Sequence, residues 1–166
     1  MFQLEDLANL SKYKMAGKIV SKVLDALVNI CVSGTNVYDM CQNGDKMMLD
    51  ELDKVYKDVA KGISFPTCGR INNVAGFYAP KVKVVKDTIK NGDLVKIELG
   101  AHIDGYPAFV CYTVVIGTIK KDDGRANVLK AISEASKEIL GIMKPGYTNT
   151  DVIKIMDITE IVQEVI

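Results

Sequence analysis

The chain has 166 residues, 48% of them hydrophobic and 25% charged, which is enough apolar material for one compact domain and too little for two. Lysine plus arginine equals aspartate plus glutamate at 21 each, so net charge advertises neither nucleic acid nor membrane, and only local patches can do so. Four scattered cysteines without a C-x-x-C pair and a single histidine, His102, exclude zinc-finger spacing and fit a reduced, intracellular protein, while no run nears the roughly 20 apolar residues that span a bilayer and the acidic start is not a secretory signal.

From about Leu10 to Val32 apolar residues recur at helical spacing, with Tyr13, Ala16, Val20, Val23, Leu24, Leu27, Val28 and Cys31 on one face; this predicts a long amphipathic helix. Ser33-Gly34-Thr35 ends it. A second helix follows with Val37, Met40 and Cys41 inward, Asn43-Gly44 is expected to break it, and a third helical run spans about Lys46 to Val59. At Gly62 the texture turns from helix to sheet: Ile63-Ser64-Phe65-Pro66-Thr67 reads as a short extended segment, since a residue before proline is pushed towards β geometry. Asn72, Asn73, Gly76 and Pro80 mark an irregular loop, and Lys81 to Thr88 alternates weakly.

Asn91-Gly92-Asp93 is a turn before the strand Leu94 to Leu99, and a second strand, Tyr106 to Ile116, follows His102-Ile103-Asp104-Gly105. Asp-Gly between two β-rich runs is a hairpin signal. Beyond the polar turn at Lys120 to Gly124, Ala126, Leu129, Ile132, Ala135, Ile139, Leu140 and Met143 predict a helix stopped by Lys144-Pro145-Gly146, and Thr150 or Asp151 would cap a last helix from Val152. The expected class is α+β, an antiparallel sheet covered by helices, within a single domain over 1–166.

Four motifs in order, Ile63 to Thr67, Ile71-Asn72-Asn73, Tyr78-Ala79-Pro80 and Gly92-Asp93-Leu94-Val95-Lys96-Ile97-Glu98-Leu99-Gly100, resemble the core of type-2 methionine aminopeptidases. Lys12-Tyr13-Lys14-Met15, Gly44-Asp45, His102 to Gly105 and Lys144-Pro145-Gly146 place the resemblance in the proliferation-associated, ErbB-receptor-binding protein branch of that superfamily. The resemblance runs from about Ser11 to Thr150 and implies the first, N-terminal half of a pita-bread fold.

A dinuclear metallopeptidase needs carboxylates that bridge two cations and an imidazole that handles protons. By that resemblance the two hairpin carboxylates fall on Glu98 and Phe109, and the family histidine before the Tyr-x-Pro stretch falls on Phe77. A four-residue loop pairing Ala101 with Tyr106 would set Glu98 opposite Phe109 across the ladder. Phenylalanine offers no oxygen or nitrogen to a metal, so no catalytic residue, metal or cofactor is expected here. Two explanations of Phe77 and Phe109 stand side by side: core aromatics of an unrelated α+β protein, or degenerate positions of a disabled site, which the flanking motifs favour. His102 is expected as a solvated loop residue, and Glu98 as a structural or vestigial carboxylate.

Lys81, Lys83, Lys86 and Lys90 with nearby Arg70, and Lys12, Lys14, Lys18 and Lys22 along the first helix, form two basic clusters able to hold phosphates or simply to be solvated. The resemblance implies a non-enzymatic binding protein that associates with the ribosome, ribosomal RNA or other structured RNA and with protein partners, in ribosome assembly, translation or growth regulation. It also implies a cytoplasmic location with visits to nucleus and nucleolus, to which Lys12 and Lys14 would contribute. The alternative is a divergent metallo-aminopeptidase removing N-terminal methionine. A half fold is further expected to self-associate or to meet a separate second-half chain.

Overall fold

A computed structural model describes residues 6–118, 123–144, 146, 148 and 150. They fall into two compact units, 1–118 and 119–166. In the first, helices α1 (Leu7–Ile30) and α2 (Val37–Leu52) precede strand β1 (Lys61–Ile71), a 3-10 turn at Val85–Asp87, and strands β2 (Leu94–Ile103) and β3 (Tyr106–Val115). The strands form one antiparallel sheet in the order β1-β2-β3.

Helix α1 starts one turn earlier than its apolar spacing suggests, because the Asp6 carboxylate accepts from the backbone N–H of Ala8 and caps it. Ala16, Ile19, Val20, Val23, Leu24 and Leu27 form its buried stripe. Opposite lie Val95, Ile97, Leu99, Ala101 and Ile103, alternate residues of β2 that are fully buried. Burying a leucine or isoleucine of this kind contributes roughly 1.5–3 kcal/mol. The core is thus one face of the sheet under two helices.

The expected break at Asn43-Gly44 does not occur: α2 runs through it and ends at Leu52, and turns occupy most of 53–59 where a third helix was expected. At Gly44 α2 approaches its neighbours closely. A Cβ there would lie 2.6 Å from Thr67 Oγ1 and 3.0 Å from Leu27 Cδ1. The glycine is a packing requirement rather than a stop signal. Next to it, the Asp45 carboxylate accepts the Thr67 N–H at 2.8 Å, tying helix to strand.

The hairpin between β2 and β3 is present, and its loop has two residues, not four. Asp104 and Gly105 both take positive φ, 54° and 78°, the requirement of a type I′ turn, and Ile103 pairs with Tyr106. Glu98 therefore pairs with Cys111 and Phe109 with Gly100. Position 98 is a diagonal neighbour of 109 on one face of the sheet rather than its direct partner. His102 lies within β2, half-buried, and its Nδ1 is buried without a hydrogen-bond partner, which corrects its expected place in a solvated loop.

The stretch 81–90 is loop and 3-10 turn rather than strand. Asn36, the cap of α2, holds it: its amide donates to Val84 O at 2.8 Å and its Oδ1 accepts from Tyr38 N. In the second unit, α3 (Gly124–Ile142) is capped by Asp123, which accepts from Arg125 N at 2.9 Å, and it stops just before Lys144 as expected. Ile132, Leu140 and Met143, three of the apolar residues at helical spacing, are exposed, and α3 is the sole helix or strand named among the described residues of its unit. The polar turn at 120–122 and the closing helix from Val152 lie outside the described residues.

Candidate functional site

The helices cover one side of the sheet. The other side carries the alternate residues of β2, Lys96, Glu98, Gly100 and His102, and the partners that register sets beside them. At Gly100 the absence of a side chain lets the Phe109 ring lie on the backbone: a Cβ would meet Phe109 Cδ1 at 2.5 Å and Ser64 Oγ at 2.9 Å. Register shifts in β1 between Ile63 and Cys68, around Pro66, bring Phe65 opposite Gly100 as well. Phe65 and Phe109 then meet edge to face, centroids 6.4 Å apart.

Phe77, in the loop after β1, joins them with its centroid 5.0 Å from that of Phe65, again edge to face. These rings are not core aromatics. Phe77 is 74% exposed and Phe109 60%. Two of the positions singled out by resemblance are thus brought together, and a third ring, Phe65, completes the cluster. Phe65 sits inside a motif legible in the sequence, but only the irregular pairing of β1 reveals that it faces outward.

Glu98 is held by Arg70, whose guanidinium lies 3.2 Å from its carboxylate, with both side chains largely shielded from solvent. Arg70 comes from two residues along the neighbouring strand, the diagonal position that long side chains reach. It also donates to Gly76 O at 3.0 Å, pinning the loop that carries Phe77. Cys68 and Cys111 flank Glu98 in register. Burial first, and the Glu98 carboxylate second, push both thiols above their usual range.

A pair of divalent cations demands several oxygen or nitrogen donors converging on one point. At the three matched positions this face offers one carboxylate, already neutralised by Arg70, and two hydrocarbon rings. Among the described residues no group of three His, Cys, Asp or Glu side chains is placed to hold a metal ion. The residues present do not fit a dinuclear centre.

The basic residues divide. Lys12 is engaged: its ammonium pairs with Asp104 in the hairpin turn and lies 5.4 Å from the centroid of the Tyr106 ring. The Asp104 hydrogen bond raises its pKa. Lys83 pairs with Asp39 of α2, and Lys22 with Glu51. Lys14 and Lys18 are exposed one turn apart on α1, and Lys81, Lys86 and Lys90 are exposed along the loop before β2.

Comparison with known proteins gives three kinds of match. The model of metallopeptidase family M24 matches residues 11–166. The curved DNA-binding protein of Schizosaccharomyces pombe is 37% identical over 160 residues, covering 94% of this chain and 42% of that protein. Proliferation-associated protein A of Dictyostelium discoideum is 36% identical over 163 residues, 93% of this chain and 42% of that one. Among solved structures, a thermophilic Arx1 superposes with a TM-score of 0.73 at 33% identity, covering 90% of this chain and 43% of its own. The chain spans about two-fifths of the length of these relatives. The expected α+β half of a pita-bread fold and the likeness to the proliferation-associated branch are borne out.

Proposed function

The chain belongs to metallopeptidase family M24, and from the state of its hairpin face we propose that it is a non-catalytic, aminopeptidase-like binding protein whose main ligand is RNA, the ribosome above all. One observation carries this. The remaining carboxylate at the matched positions, Glu98, is committed to Arg70, and the space beside it is filled by the Phe109 ring lying on Gly100. Both features replace cation ligation with packing and a closed ion pair. A carboxylate paired in this way gives up about as much as it gains when a cation displaces its partner, because the guanidinium would then be left without a counter-charge.

Support for nucleic acid comes from the exposed lysines 14, 18, 81 and 86 and from the Schizosaccharomyces relative, which is named as a DNA-binding protein. Lys12 and Lys83, each tied to a carboxylate, contribute less than these four. The same proposal includes protein partners, self-association or a separate second-half chain, action of 1–166 as a single domain, and work in ribosome assembly, translation or growth regulation in cytoplasm and nucleus. No helix among the described residues is long and apolar enough to cross a membrane.

Family membership favours the rival activity, metal-dependent removal of N-terminal methionine. A methionine-release assay with cobalt or manganese decides between them. The expected result is no release above background and no saturable heat on titrating either metal. Metal-dependent release abolished by Glu98→Ala would establish the peptidase and overturn the proposal.

A further inference from the structure

The two outer strands of the sheet are built differently. β1 carries several devices that keep an edge from pairing: Pro66, breaks of register on either side of Phe65, and the charges of Lys61 and Arg70. Two of its amides are already engaged within the first unit, Thr67 N–H by the Asp45 carboxylate and Gly69 N–H by Tyr78 O at 3.0 Å. β3 lacks these devices apart from Pro107, which lies beside the turn. From Tyr106 to Val115 it has no charged residue, and its register with β2 runs without a break.

Ladder geometry decides which groups face outward. The two-residue turn makes Ile103 and Tyr106 a hydrogen-bonded pair, and antiparallel pairing alternates from there, so Tyr106, Ala108, Val110, Tyr112 and Val114 bond to β2. Phe109, Cys111 and Thr113 direct both N–H and C=O away from the sheet. This outward run is bounded by Pro107, which has no N–H, and by Ile116, whose N–H donates to Asp93 O and whose C=O accepts from Gly92. Its middle is Cys111, and both Cys111 and Phe109 are exposed.

We propose that β3 pairs with β3 of a second copy of this chain, antiparallel about a two-fold axis at Cys111, so that two sheets become one. Three features fit a second copy. An edge strand run antiparallel to itself matches outward N–H groups with outward C=O groups. No like charges meet, since the strand is uncharged and the chain has a net charge of zero. The axis also sets the exposed Phe109 ring across from Thr113 of the second copy, an aromatic against a β-branched residue, which stabilises a ladder. Growth through the sheet stops at two copies, because the edge left at each end is the guarded β1. The proposal rests on the self-association included above and names the surface that performs it.

Light scattering on the full chain is expected to give twice the mass of one copy. Amide exchange followed by NMR locates the contact: the amides of Phe109, Cys111 and Thr113 exchange about tenfold or more slower than in the Cys111→Lys variant. That variant sets two ammonium groups against each other across the axis and raises the dimer dissociation constant about tenfold or more. Phe109→Lys, a change at an exposed position opposite Gly100, weakens the dimer as well, and circular dichroism melting verifies that both variants keep the fold. A short bismaleimide joins two copies through the exposed Cys111, whereas Cys111→Ser dimerises without being joined.

A monodisperse monomer at every concentration overturns the pairing together with the self-association it rests on. A dimer whose three amides exchange freely and which ignores Cys111→Lys overturns the pairing alone, and moves self-association to another surface. Slow amides in a species of one copy would assign the edge to a segment of the same chain and overturn it too.

Discussion

Burial separates the four thiols more sharply than sequence could. Cys41 is pushed up to about 12 and Cys31 to about 11, in both cases first by burial, whereas Cys111 is exposed. The thiolate is the reactive form, and a thiol of pKa near 12 is ionised only about once in ten thousand at pH 8. Iodoacetamide at pH 8 is expected to modify Cys111 in the native chain and Cys31 and Cys41 only in denaturant; native labelling of Cys41 at the rate of Cys111 would contradict the packing of α2 on β1. The sign of the pH effect follows. Above pH 9 the unfolded chain ionises these thiols and the folded chain does not, so the denaturation midpoint falls from pH 9 towards 11, and falls less in Cys41→Ala.

At the scale of elements, Gly44 decides how α2 meets the sheet. Alanine has the better helix propensity by about 1 kcal/mol, so an ordinary helical glycine would gain from Gly44→Ala. Here the added methyl collides with Thr67 Oγ1 and Cγ2, and the expected outcome is a loss of roughly 1–3 kcal/mol by urea denaturation. Thr67→Ala removes both atoms, so the double variant recovers part of the loss and the two changes are not additive. A more stable Gly44→Ala chain would show that the close approach is not rigid.

The same position shows what could be read in advance. Periodicity located α1 because it repeats one rule over several turns, and turn signals located the strands of the hairpin. Gly44 carried the local mark of a breaker, and its partner Thr67 is 23 positions away, beyond any local pattern. The hairpin was legible from Asp104-Gly105, but its register needed the backbone angles of both turn residues, and assuming a four-residue loop displaced every cross-strand pair by two. Phe77 and Phe109 were singled out through flanking motifs, and the structure brings both against Phe65. Phe65 and the Arg70–Glu98 pair were not, because they depend on an irregular register in β1 around Pro66.

For the whole molecule, the first unit leaves β3 at the sheet edge with no outer strand among the described residues, and exposes Phe77, Val85, Phe109 and Tyr112. A cleft of about 370 Å³ at Tyr112 is lined by Leu24 and Val28 together with the polar Asp25 and Asn29. Open edges and apolar patches favour association. Light scattering is expected to find a dimer or larger species, and a monodisperse monomer would count against self-association.

The most direct measurement of the central claim is co-sedimentation of the chain with purified ribosomes over a salt series, with chelator present throughout. A binding protein that works through lysines and needs no metal pellets saturably at low salt, releases as salt rises, and loses affinity in Lys14→Ala with Lys18→Ala and in Lys81→Ala with Lys86→Ala more than in Lys12→Ala. Absence of pelleting at low salt, or pelleting that appears only when metal is restored, would contradict the account.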